Sequence, residues 1–394
     1  MGDSMLVLNA GSSSVKFSTY RLAPAGALAR NLRGELEGIG TRPHLRAADA
    51  EGRVVADAAY PVADVSTRAQ AIQRLSDFLQ GQQATGIHAV GHRVVHGGPR
   101  HAAPAEVTPG LLEELQALVP WAPLHQPACL DGIRAIAALD PGVRQVACFD
   151  TAFHQRMPEL AQRFALPDSF YQQGVRRYGF HGLSYEYVAS HLAEAAPRLA
   201  QGRVVVAHLG NGASMCALQA GHSVDTTMGF SVLDGLPMGT RCGAIDPGVL
   251  LYLLGPGGKS LKDVDQLLYD GAGLKGLSGV SSDMRDLLGS EAPLAHLAVD
   301  YFAYRVAREL GALSAVLGGL DGLVFTAGIG EHAVAVRAAV VQRSAWLGLV
   351  LDEDANAQSA PRISTADSAV EVRVVPTDEE LVIARHTVAV LGLG

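Results

Sequence analysis

An amide, three hydroxyls and a lysine lie close together at Asn9, Ser12, Ser13, Ser14 and Lys16. With the free backbone N–H groups of a tight turn, they suit a phosphate group. A P-loop would need Gly-Lys-Ser/Thr and then a helix, and neither is present. A polar turn that holds nothing fits the same residues. Farther on, residues 90–96 (VGHRVVH) put Arg93 and Val95 on one face of a strand, His92 and Val94 on the other. An arginine beside a small apolar residue suits a short carboxylic acid, with guanidinium for the carboxylate and methyls for the tail. His92 and His96 do not read as a metal pair, because four residues along a strand separate them by roughly 13 Å.

Asp150 closes the apolar run QVACF, at the carboxyl end of a strand, where open α/β sheets collect active-site groups. It could instead cap the next segment. Arg241 sits in the loop Met238-Gly239-Thr240-Arg241, where an arginine can neutralise a moving phosphoryl group or simply face solvent. Residues 325–331 (FTAGIGE) read as a strand, a Gly-x-Gly turn and a helix start, a weak but fitting site for phosphate or ribose.

The elements that must position these groups follow from periodicity. Leu6, Val7 and Leu8 form an apolar strand; after the turn, Val15, Phe17 and Thr19 alternate with Lys16, Ser18 and Tyr20, which predicts a β-hairpin. Residues 204–218 (VVVAHLGNGASMCAL) repeat the plan around Gly210-Asn211-Gly212. Two related domains are expected, each opening on its own phosphate-facing turn. Ser66 is read as preceding a helix with Ile72, Leu75 and Leu79 on one face, and Thr108-Pro109 as the start of another over 111–119. Beyond Asp150 come a long helix over 295–317, a strand over 322–326, a helix from about Glu331 and a closing helix over 380–391. The expected division is 1–150 plus 381–394, and 151–380, with mixed sheets and an α/β class.

Composition bounds the partners. The chain has 394 residues, 48% hydrophobic and 18% charged, enough for two ordinary globular cores. A net charge of −8 without a Lys/Arg run argues against nucleic acid and anionic membrane surfaces. The most apolar long stretch, 311–330, is broken by Asp321 and by glycines. The start, MGDSML, lacks a signal-peptide core and a myristoylation serine or threonine. The four cysteines form no CxxC pair, and a cytoplasmic location with free thiols is expected.

The segments NAGSSSVKF, GHRVVHGG, APLHQP, FDTAFH, RRYGFHGLSYEYV, AHLGNGAS, SVDTTMGF, MGTRCGAIDPG, SSDMRD, FTAGIGEH and PTDEELVIAR together resemble the acetate kinases, in that family's order and over the whole chain. The resemblance implies two duplicated actin-like (ribonuclease H-like) domains, mixed sheets flanked by helices, and an active cleft between them. It implies reversible phosphoryl transfer between ATP and acetate, giving acetyl phosphate and ADP, with Mg²⁺ or alternatively Mn²⁺, in a homodimer. By matched motif, Asn9 and Glu379 stand at the metal, Arg93 at the substrate carboxylate, and Asp150 as the catalytic aspartate. His181 and Arg241 stand as transition-state stabilisers, and Val95, Leu124 and Phe180 in the acyl pocket. His208, Leu209, Gly210, Asn211 and Gly212 match nucleotide contacts, as do Asp283, Met284 and Arg285, and Gly328, Ile329, Gly330, Glu331 and His332. Ser12, Ser14, Lys16 and His125 fall in further active-site motifs. Acetate is already ionised at pH 7, so the reaction needs cations rather than a general base, among them a protonated His181. Asp150 is accordingly expected to position an arginine or a metal-bound water.

The chain also departs from the family pattern. The usual HGTSH reads His181-Gly182-Leu183-Ser184-Tyr185, and GIGEN ends in His332. TNEE becomes Thr377-Asp378-Glu379-Glu380, which adds a carboxylate beside the metal residue. GDIDP loses an acid at Ala244, and TPLEGL loses its proline at Val232, a pocket position. One methylene in an apolar pocket discriminates by only about 1–3 kcal/mol, so a propionate or short-chain acyl kinase is the alternative. A sugar-kinase-like repressor or a heat-shock-type chaperone would need a DNA- or peptide-binding module, and no segment reads as either.

Overall fold

The two small-residue turns identified in the sequence each join the first two strands of a sheet. The structure is a computed structural model that describes residues 4–11, 13–22, 27–82 and 86–393. It comprises two units, Met1–Phe153 with Asp378–Gly394, and His154–Thr377. In the first unit, β1 (Ser4–Ala10), β2 (Val15–Leu22), β3 (Leu28–Glu37), β4 (His44–Asp49) and β5 (Val54–Ala59) form an antiparallel meander. On the other side of β1 lie β6 (Ile87–Val94), parallel to it, then β8 (Arg144–Phe149), parallel to β6, with β7 (Ala105–Glu106) at the edge. The order is β5-β4-β3-β2-β1-β6-β8-β7.

The second unit repeats this plan in five strands. β9 (Arg203–Leu209), β10 (Ala213–Gln219) and β11 (His222–Thr226) form the antiparallel part; β12 (Gly322–Thr326) and β13 (Glu371–Val374) continue in parallel from β9. The order β11-β10-β9-β12-β13 has the same directions as β3-β2-β1-β6-β8. The echo of one turn by the other is therefore an echo of topology.

Periodicity reads these helices well. Helix Arg68–Gly81 buries Ile72, Leu75 and Leu79 against Leu6, Leu8, Phe17 and Leu36. Ser66 precedes it as read, and its N-cap is Thr67: the Thr67 side chain accepts from Gln70 N and the Gln70 side chain returns the bond. Thr108 caps helix Pro109–Ala117 as read. Helix Pro293–Leu317 lies along the second sheet, contacting β9, β10 and β11. Helix Glu379–Leu391 returns to the first unit and presses on β6 at Gly91, where a Cβ would come within 2.4 Å of Thr387 Oγ1 and 2.6 Å of Ile383 Cγ2. Gly91 is what lets this helix, with Glu379 in its first turn, lie flat on the sheet.

Candidate active site

In the first unit, candidate residues gather at the carboxyl ends of the parallel strands. Asn9 sits near the end of β1, Arg93 near the end of β6, Asp150 just past β8, and Glu379 opens the helix behind them. Arg93 is the hub. Its Nε donates to Asp150 Oδ1 and Oδ2 at 3.1 Å each, its Nη2 to Asp150 Oδ2 at 2.5 Å, and its Nη1 to Asn9 Oδ1 at 3.2 Å. The Arg93 side chain is 20% exposed, while Asp150 is 1% exposed. A guanidinium fixed on two sides with an open flank can receive a carboxylate.

Burial pushes the Asp150 carboxyl up, and the Arg93 guanidinium pulls it back down. Burial pushes Glu379 up to about 7; Asp150 and Glu380 add to the shift, Arg93 and Lys16 oppose it. The site thus gathers more buried carboxylate than cation. Asn9 offers an amide oxygen and Glu379 a carboxylate, an all-oxygen donor set that fits a hard divalent cation. Lys16 is exposed and lies opposite Asn9 across the hairpin; Ser14 closes the turn by accepting from Gly11 N at 2.8 Å. Ser12 lies outside the described residues. Val95 is buried just past β6, Leu124 is exposed, and His125 precedes helix Gln126–Leu139.

The extra carboxylate at Asp378 has a different use from the one expected. It pairs with Arg30 Nη2, which also donates to Tyr20 Oη at 2.8 Å, and it caps helix Glu379–Leu391 by accepting from Leu381 N at 3.0 Å. Its charge is spent on Arg30 and on the helix that carries Glu379.

In the second unit, the candidates converge on the turn between β9 and β10. A Cβ on Gly212 would come within 2.8 Å of Arg241 Nη2 and 3.3 Å of His181 Nε2. Glycine there leaves a small hollow flanked by two nitrogen donors. The loop carrying Arg241 rests on the turn: Gly239 N donates to Asn211 O at 3.1 Å, and a Cβ on Gly239 would come within 2.1 Å of Asn211 Oδ1. Arg241 Nη1 donates to Val232 O at 3.0 Å, so the residue that replaces the family's proline also holds the arginine. His181 has φ +59 at the N-cap of helix Gly182–Ala195, a left-handed conformation that costs a non-glycine residue about 1–3 kcal/mol. Its ring stacks on His208 with centroids 4.1 Å apart. His208 Nδ1 meets Ser184 Oγ at 2.8 Å, and Ser184 Oγ meets Thr377 Oγ1 at 2.9 Å.

The segment Gly328–His332 forms most of a short helix, Ala327–His332, entered through Ala327 at φ +64. Ala327 Cβ would be 3.6 Å from a Cβ on Gly210, so this segment and the β9–β10 turn adjoin. Glu331 Oε1 accepts from Thr377 N at 3.2 Å, and His332 is 79% exposed. Arg337 anchors the helix from below. It is fully buried and donates to Gly330 O at 3.0 Å, Glu331 O and Asn356 O at 2.8 Å, Asn356 Oδ1 at 2.8 Å and Ser359 Oγ at 3.0 Å. Asp283 caps helix Met284–Leu288 and pairs with the exposed Arg285; Met284 is buried. Phe180 is buried, its carbonyl facing His154 Nε2 at 3.0 Å. Sequence reasoning did not assign Arg30, Arg337, Ser184, Ser214 or Thr377 a role, and only the hydroxyl-rich family blocks hinted at the last three.

Residues 4–385 match the acetokinase family. The acetate kinase of Nitrobacter hamburgensis is 54% identical over 389 residues, covering 99% of this chain and 96% of that protein. The crystal structure of Porphyromonas gingivalis acetate kinase is similar with a TM-score of 0.86 at 38% identity, covering 99% of this chain and 100% of that one. A propionate kinase from Francisella tularensis is similar with a TM-score of 0.90 at 36% identity, covering 98% and 99%.

Proposed function

The chain belongs to the acetokinase family, and on that premise we propose that it transfers the γ-phosphoryl group of ATP to acetate, reversibly and in line, giving acetyl phosphate and ADP. It is an enzyme, a kinase whose acceptor is a carboxyl group. The observation that carries the reading is Arg93, fixed by Asp150 and Asn9 with one flank open, beside the half-buried oxygen donors of Asn9 and Glu379.

The acid arrives ionised, so no residue need remove its proton. Arg93 binds the carboxylate, and Asp150 orients Arg93 rather than taking a proton. Val95, Leu124, His125 and Phe180 are the residues assigned to the acyl chain. Ser12, Ser14 and Lys16 meet the transferred phosphoryl group. His208 to Gly212, Asp283 to Arg285 and Gly328 to His332 hold the nucleotide. Arg241 and His181 donate to the phosphoryl oxygens as charge spreads over them. Mg²⁺, with Mn²⁺ as the alternative, would be held by Asn9 and Glu379, and when bound it neutralises phosphate charge.

A second copy of the chain is the partner that the surface supports. Helix Pro247–Leu254 (PGVLLYLL) has no buried residue, with Leu251 72% and Tyr252 60% exposed, so it has an apolar surface to cover in a homodimer. Among the described residues no helix is long and apolar enough to cross a membrane. Free cysteines at 129, 148, 216 and 242 fit the cytoplasm.

Propionate is the second reading, favoured by Val232 in place of the family's pocket proline. Hydroxylamine trapping of acyl phosphate, with ATP, Mg²⁺ and acetate, propionate or butyrate in turn, tests both. Product with acetate is expected; absence of product with all three acids refutes the enzyme assignment, and a higher kcat/KM for propionate replaces the first reading with the second.

A further inference from the structure

The departure at Tyr185 is the feature of this chain that the proposed chemistry leaves unused. Tyr185 is fully buried, and its hydroxyl lies 2.5 Å from Ser214 Oγ. Ser214, also fully buried, lies 2.8 Å from His181 Nδ1. Tyr185 also grips the backbone of the same histidine, since its N–H donates to His181 O at 3.1 Å across the first turn of helix Gly182–Ala195. One residue thus anchors both the carbonyl and, through a serine, the ring of a residue held at φ +59.

We propose that Tyr185 and Ser214 are positioning residues for His181, fixing its imidazole with Nδ1 as acceptor and the hydrogen on Nε2. The direction of the chain follows from acidity. A phenol is a stronger acid than an aliphatic alcohol, so Tyr185 Oη donates to Ser214 Oγ, and Ser214 Oγ passes its own hydrogen to Nδ1. Burial raises the phenol well above its usual range, which keeps that hydrogen in place. The only ring hydrogen left is on Nε2, the atom that flanks Gly212 beside Arg241 Nη2. A neutral His181 with this tautomer donates to a phosphoryl oxygen without carrying charge, and it replaces the protonated imidazole expected from sequence. The π-face of His208 at 4.1 Å then limits rotation of the ring. Where relatives of the HGTSH pattern have a second histidine, the longer tyrosine of this chain reaches Ser214 on β10.

The inference rests on the proposed role of His181, and its test separates the two. Full-length protein labelled with ¹⁵N-histidine reports the tautomer directly, with His181 assigned by its loss in His181→Asn. The wild-type spectrum is expected to show Nε2–H; an Nδ1–H tautomer there overturns the proposal whatever the variants do. Ser214→Ala is expected to give mixed tautomers and about a ten- to hundredfold lower kcat, the range carried by groups that orient a site residue, with KM for acetate and ATP within about twofold. Tyr185→Phe is expected to act in the same direction and to add nothing in the Ser214→Ala background. An unchanged tautomer in Ser214→Ala overturns the proposal. Full kcat in His181→Asn overturns the role of His181 in transfer, and the tautomer readout still decides the positioning.

Discussion

Asp150→Asn separates an orienting carboxylate from a proton acceptor. The substitution preserves shape but replaces one oxygen with an NH₂ group, so a donor then faces the Nε or Nη2 donors of Arg93 that now contact both oxygens at 2.5–3.1 Å. One or two charge-assisted hydrogen bonds are lost, at about 1.5–3 kcal/mol each. Breaking a buried ion pair costs about 3–5 kcal/mol, and the partial exposure of Arg93 puts this pair at the lower end, about 3 kcal/mol. At 1.36 kcal/mol per factor of ten, half of that appearing as misorientation lowers kcat/KM for acetate about tenfold, and all of it about a hundredfold. Hydroxylamine trapping at saturating ATP with acetate varied gives the ratio; thermal unfolding of the same samples gives the stability change. KM for ATP is expected to stay within about twofold, because the segments proposed to hold the nucleotide belong to the other unit. The pH profile of kcat is expected to keep its shape, because in the proposed mechanism Asp150 takes no proton. Wild-type kcat/KM and wild-type stability together would refute both the ion pair's role and the positioning of Arg93.

Three further outcomes are expected. Burial holds His92 and His154 neutral down to about 4 against 6.5 in the open chain, so at these two groups the unfolded state binds more protons between those values and their contribution to stability falls as pH drops through that window. Each contributes about 2 kcal/mol by linkage between pH 7 and pH 5. Because the raised carboxyls of Glu379 and Asp150 act in the opposite direction, it is read as the difference between wild type and His92→Gln or His154→Gln in how the urea midpoint changes from pH 7 to pH 5; an equal change in wild type and variant contradicts it. Arg337→Met leaves the carbonyls of Gly330, Glu331 and Asn356 without their donor, and is expected to cost more than about 3 kcal/mol and to raise KM for ATP more than for acetate. Leu251→Lys is expected to yield a monomer by sedimentation with little change in melting temperature, and a dimer of unchanged affinity would move the interface elsewhere.

Local chemistry made much of this legible in the sequence. Alternation after the Asn9 turn and around Gly210 specified both hairpins, and the apolar run before Asp150 placed it at a strand end, because side-chain period and turn composition are properties of neighbouring residues. Arg93 and Val95 were assigned to one face of a strand that in fact stops at Val94, so Val95 lies just beyond it. The partners of these groups were not legible. Arg30 reaches Asp378 across most of the chain, Tyr185 reaches His181 through Ser214, and Arg337 is an arginine on an ordinary helix whose five acceptors appear only on folding. The Asp378 departure read as surplus charge near the metal for the same reason: its cation is set by tertiary pairing, which no spacing encodes.

The seam at Gly91 has a consequence for how the protein is made. The first unit is interrupted: Met1–Phe153 precedes the entire second unit, and Asp378–Gly394 follows it. During synthesis the strand bearing Arg93 emerges early, while Val382, Ile383, Ala384 and Thr387, all buried in the finished protein, emerge only after His154–Thr377 has been made. The second unit is one uninterrupted segment, whereas the first lacks the helix that packs on β6 at Gly91 until the last residues have been made. Glu379 arrives with the same helix. A nascent chain therefore acquires the helix that packs on Gly91 and the second of the two oxygen donors, Asn9 and Glu379, in the same late step.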